Sequence, residues 1–216
     1  MKNVVCLWIS LFFAIPMFGQ NVEEIIYTFQ DGDIRVNEKF QVLSTVGELE
    51  GITPYKEIGT VSMKIESNDY NLKVLNFNGW RGDGGDFRVI RLFNNTDLIL
   101  EFIDEEAWRK PYSEFYDSVN KFASFNNYSL VYPLQNEVTA LLFEGYSWAS
   151  QVPLLTIVII KDNKAKVVFN KSLAVSEFNA YSKGFELTLI DDFDNPDKIY
   201  KLYTTTEGLM SILEIE

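Results

Sequence analysis

Polar and apolar residues alternate along most of this chain with a period of two. Val61, Met63 and Ile65 are interleaved with Thr60, Ser62, Lys64 and Glu66, and Phe185, Leu187 and Leu189 with Glu186 and Thr188. Alternation of this kind is the signature of a strand with one buried and one wetted face. Further strands are expected at Glu24 to Phe29, Ile34 to Leu43, Tyr70 to Phe77, Phe87 to Phe93 and Asp97 to Ile103. The second half adds Val138 to Phe143, Leu154 to Ile160, Ala165 to Phe169, Ile199 to Tyr203 and a last strand within Leu209 to Ile215. Asp31-Gly32-Asp33, Asp162-Asn163-Lys164 and Asn195-Pro196-Asp197 are short enough to be hairpin turns, so sequence neighbours pair antiparallel.

Two stretches break the alternation. Leu154 to Ile160 reads Leu-Leu-Thr-Ile-Val-Ile-Ile, which leaves neither face polar and predicts a central strand covered on both sides. Between Pro111 and Ser124, Tyr112, Phe115, Tyr116, Val119 and Phe122 fall on one helical stripe, and Pro111 suits a first turn. One amphipathic helix near 111–124, placed as a cover for the central strand, is therefore expected. The fold class that follows is mainly β, or α+β with that helix: an antiparallel sandwich or strongly bent sheet of about ten to twelve strands.

The N-terminus reads differently from the rest. Lys2 precedes an uncharged run from Val4 to Phe18, with Pro16 near its end and Gly19 after it. This is the layout of a signal peptide, and the run is shorter than the roughly 20 residues of a membrane-spanning helix. Residues 1–19 are expected to leave after Gly19, with no transmembrane segment remaining. Residues 20–216 then form a single β-rich domain, the alternative being two β lobes, 20–103 and 128–216, joined by the helix. The destination is the periplasm, the cell surface or the medium, in a bacterial setting.

Cleavage also changes the chemistry. Cys6, the only cysteine, is lost, so the mature chain has no disulfide and no thiolate. The net charge moves from −12 to −13 with the loss of Lys2, a balance that repels nucleic acid. Histidine is absent from the whole chain, which removes Ser-His and Cys-His catalysis and the usual zinc, copper and iron sites. Gly145-Tyr146-Ser147-Trp148-Ala149 imitates a nucleophile elbow but has no base, and Ser118-Val119-Asn120-Lys121 lacks the partner motifs of penicillin-binding proteins. A carboxylate pair for glycan cleavage needs no histidine, but 31 acids give no basis for choosing two.

Binding chemistry is left. Asn78 to Asp86 carries Trp80, Arg81, Asp83 and Asp86, and Gly145 to Gln151 carries Tyr146 and Trp148. Aromatic faces beside hydrogen-bonding side chains suit sugar rings or a protein surface. Asp191, Asp192, Asp194 and Asp197 place oxygen donors close together, so calcium is the one cofactor the sequence admits, although the spacing is not that of an EF-hand. The expected function is a non-catalytic exported domain that binds an envelope protein or glycan. A carboxylate-dependent glycan-cleaving enzyme and a calcium-stabilised structural module are the alternatives.

Overall fold

A computed structural model describes residues 22–42, 55–77, 87–111, 121–145, 152–194, 196–205 and 210–215. Among them are fifteen strands and no α-helix, and every strand pairing is antiparallel. The strands are β1 Val22–Gln30, β2 Asp33–Val36, β3 Tyr55–Ile65, β4 Asn68–Phe77, β5 Phe87–Asn94, β6 Asp97–Trp108, β7 Ser124–Phe125 and β8 Leu130–Pro133. They continue with β9 Thr139–Glu144, β10 Leu154–Lys161, β11 Lys164–Ser172, β12 Ala174–Tyr181, β13 Gly184–Ile190, β14 Ile199–Thr204 and β15 Met210–Ile215. No helix among the described residues is long and apolar enough to cross a membrane.

These strands form three sheets, ordered β12-β13-β14-β15-β1-β2, β11-β10-β9-β8-β7 and β3-β4-β5-β6. The five-stranded sheet is the middle layer. One of its faces meets the six-stranded sheet in a core that includes Leu142, Leu155, Ile157 and Ile159 against Ile26, Phe185, Leu187 and Leu202. The other face meets the four-stranded sheet, with Leu141, Phe143, Leu154, Val158 and Ile160 against Leu72, Val74, Ile90 and Leu92.

β10 explains the unbroken apolar run. Its residues from Leu154 to Ile160 are all buried, odd-numbered side chains serving one core and Leu154, Val158 and Ile160 the other. A Leu, Ile or Val side chain taken fully out of water contributes about 1.5–3 kcal/mol, so six of them on one strand make this the strongest local commitment in the chain. The expected cover on both sides is present, and two sheets supply it.

The helix expected near 111–124 is not found where the chain is described. Residues 112–120 lie outside the described set, whereas Lys121 and Phe122 form a turn and Ser124 opens β7. Phe122 still packs half-buried against the core below the six-stranded sheet. Tyr112, Phe115, Tyr116 and Val119, the rest of the stripe, lie outside the described residues.

Two further boundaries differ from expectation. The strand read as Ile34 to Leu43 ends at Val36, where Asn37 caps a 3-10 turn, Glu38–Phe40. The Asn37 Oδ1 accepts the Lys39 N–H at 3.1 Å and its Nδ2 donates to the Ile25 carbonyl at 2.9 Å, the local bonding by which asparagine competes with a strand ladder. β12 has no clean alternation because a bulge between Val175 and Glu177 shifts the face of its side chains. Together with β7 and β8 it lifts the number of strands above twelve.

Candidate functional site

The segments 78–86 and 146–151, which hold Trp80, Arg81, Asp83, Asp86, Tyr146 and Trp148, lie outside the described residues. Their flanking residues are described, and these meet. Phe87, which follows the first segment, pairs with Trp108 at the end of β6. Trp108 in turn forms a bridge to Gly145, which precedes the second segment. The bridge is reinforced by Arg109 N–H to Glu144 O at 2.9 Å and by an Arg109–Glu144 ion pair at 2.8 Å. Chain regions some sixty residues apart are therefore rooted on adjoining ladder positions.

The root is an aromatic cluster. The Trp108 indole is fully buried, with ring centroids 5.7 Å from Phe87, 5.8 Å from Phe102 and 6.3 Å from Phe143. Phe87 also meets Tyr128 edge-on at 5.7 Å. Tilted and edge-on ring pairs of this kind add about 0.5–1.5 kcal/mol each beyond the area they bury. Gly145 is required by the bridge, because a Cβ there would lie 2.9 Å from both the backbone nitrogen and Cβ of Leu154.

Beneath the rings runs a chain of polar groups. Trp108 Nε1–H donates to Thr156 Oγ1 at 2.8 Å, and Thr156 Oγ1–H donates to Asn170 Oδ1 at 2.5 Å. Asn170 Nδ2 donates to Asp104 Oδ2 at 2.7 Å, whose other oxygen accepts the Glu106 N–H at 2.9 Å. Ser172 Oγ–H reaches Glu106 Oε2 at 3.1 Å. Thr156 and Asp104 are buried, so each bond replaces water that the groups have lost. The network ties β6 to β10 and β11, and so fixes the four-stranded sheet on the middle one beside the two roots.

The opposite face of the four-stranded sheet is apolar at the same end. Leu75 pairs with Val89 and Val89 with Ile103, and these three cluster with Phe77, which carries the Tyr55 ring at 5.5 Å. The chain enters the 78–86 segment directly from Phe77.

The four aspartates considered for calcium lie between β13 and β14. Asp191 Oδ1 accepts the Lys198 N–H at 3.1 Å and Asp192 Oδ1 accepts the Asp194 N–H at 2.8 Å. Asp194 is exposed, as is Asp197. Among the described residues no three acidic side chains are grouped to hold a metal ion.

Asp104, Thr156 and Asn170 were not singled out by the sequence. The available signal was Thr156, a lone hydroxyl inside an apolar strand, which must find a buried partner; the partner's identity depends on register across two sheets. Comparison with known proteins finds no matching family model, no matching curated protein and no matching solved structure.

Proposed function

We propose that this protein is an exported, non-catalytic β module that binds an envelope protein or a glycan through the segments 78–86 and 146–151. The observation that carries this reading is the common root: Phe87, Trp108 and Gly145 stand in one bridged row over a fixed aromatic and polar base. Rigid support under a set of aromatic and polar side chains is what a recognition surface needs. In this reading Trp80, Tyr146 and Trp148 supply stacking faces, and Arg81, Asp83 and Asp86 supply the hydrogen bonds. Residues 1–19 leave during export, and the acidic, histidine-free remainder acts by contact alone.

The test is a binding and turnover assay on purified chain with peptidoglycan and a panel of neutral polysaccharides. Retention of at least one of them is expected, weakened about tenfold by Trp80→Ala or Trp148→Ala, a cost of about 1.4 kcal/mol, without hydrolysis. Release of reducing ends that stops on substitution of a single acid overturns the non-catalytic reading. For export, the recovered envelope protein should begin at Gln20 on N-terminal sequencing.

A further inference from the structure

Among the described residues the three sheets each end in an edge strand that borders one cleft. β2 closes the six-stranded sheet, β11 the five-stranded one and β6 the four-stranded one. A cleft of about 370 Å³ is lined from all three: Ile34 and Val36 from β2 with Val42 just beyond it, Leu100 and Phe102 from β6, and Val167 from β11. Its volume falls within the range of ligand-sized clefts. The seam between β6 and β11 is closed further along by Asn170 to Asp104 and Ser172 to Glu106, so the opening is confined to the end nearer the hairpin turns.

The backbone at this opening has bonding capacity. Both hairpin turns are tight, with positive φ at Asp31 and Gly32 and at Asp162 and Asn163. A two-residue turn makes its flanking pair hydrogen-bonded, Gln30 with Asp33 and Lys161 with Lys164, and pairing then alternates along the ladder. That alternation points the N–H and C=O of Ala165 and Val167 away from β10, and those of Ile34 and Val36 away from β1.

Some of that capacity is already capped. The Lys166 ammonium donates to the Ile34 carbonyl at 2.8 Å, Lys164 donates to the Gly32 carbonyl at 2.7 Å, and the Ile34 N–H bonds Asp33 Oδ1 at 3.0 Å. Charged side chains over an edge are a common defence against unwanted strand pairing. Among the described residues the defence covers β2 as far as Ile34 and leaves the Val167 position of β11, in the middle layer, without such a cap.

The charge at the mouth is opposite to that of the whole chain. Asp33 stands among Lys166 at 3.6 Å, Lys164 at 3.9 Å and Arg35 at 3.9 Å, and Glu101, which also lines the cleft, is paired with Arg91, so cations outnumber acids by two among these six groups on a protein of net −12. Partial desolvation acts to raise the Asp33 carboxyl, but the three cations and the Ile34 N–H outweigh it and hold the group below its usual range. Arg35 is 58% exposed, so its guanidinium is open to a second anion.

We propose that this cleft receives an extended strand of another protein, adding to the β11 edge of the middle sheet, with apolar side chains alternating into the walls and a carboxylate near Arg35 and Lys166. Edge addition of this type draws affinity from main-chain bonds and specificity from alternate side chains. It is independent of the segments 78–86 and 146–151, and either assignment can fail alone.

The probe is a labelled synthetic peptide of alternating valine and threonine with two glutamates at one end, followed by fluorescence anisotropy with the purified chain and by amide chemical shifts. Saturable binding is expected, with the Ala165 and Val167 amides shifting most. Replacing the glutamates by lysines, N-methylating alternate peptide amides, or introducing Arg35→Glu should each weaken binding about tenfold or more. Val167→Pro, which removes an N–H not used by β10, should do the same; the N-methylated peptide makes the point without altering the protein. Absence of saturable binding, equal affinity for the N-methylated peptide, or equal affinity for the lysine peptide overturns the proposal.

Discussion

Thr156 and Tyr27 are both polar side chains inside apolar cores, and they should respond to substitution in opposite ways. The Thr156 hydroxyl joins the Trp108 indole to Asn170, so Thr156→Val keeps the shape but strands one donor and one acceptor. A loss of about 2–3 kcal/mol is expected, read from the denaturant midpoint at unchanged m-value. The Tyr27 hydroxyl has no hydrogen-bond partner among the described residues although the residue is fully buried, and burial alone drives its pKa far above the ordinary phenol value. Tyr27→Phe removes an unsatisfied group and should raise stability by about 1 kcal/mol on the same measurement. Sequence marks Thr156 as inside and says nothing of its partner, because whether Asn170 reaches Thr156 is fixed only when β10 pairs with β11 in this register.

Strands were legible wherever one face is wet or both are dry, since each condition imposes its own pattern. They were lost where a bulge resets the pattern, as at β12, or where two and four residues are too few to show one, as at β7 and β8. β8 and β12 are nevertheless joined by a single side chain: the Tyr132 hydroxyl donates to the Tyr181 carbonyl at 2.8 Å. Burial pushes the Tyr132 phenol up to about 12 from its ordinary 10. A group whose pKa is raised on folding contributes stability that is intact below its unfolded value and is lost as pH climbs through the folded one. Stability should therefore fall between about pH 10 and about pH 12, and Tyr132→Phe should make that fall shallower in denaturant midpoints taken across the window.

The middle sheet belongs to two cores at once, so the three layers are expected to unfold together. Trp108 lies in the core with the four-stranded sheet, while Tyr132 and Tyr27 lie in the core with the six-stranded one. Tryptophan fluorescence and near-ultraviolet tyrosine circular dichroism should consequently report the same unfolding free energy within about 0.5 kcal/mol; separate transitions mean that the layers unfold independently. The candidate recognition segments were legible as composition, Trp and Gly among polar residues, whereas their common root was not, because it depends on a bridge between Trp108 and Gly145 that no local pattern encodes.

The pairing of β1 with β15, Val22 against Glu214, also sets a timetable. The hairpin of β1 and β2 is synthesised long before β15, the strand that seats it in the six-stranded sheet. Contacts so distant in sequence are closed late and at a large entropic cost, so folding should be slow for a chain of this size. In the interval the β1 edge that β15 covers is open, and it must be kept from pairing with strands of neighbouring chains until β15 arrives.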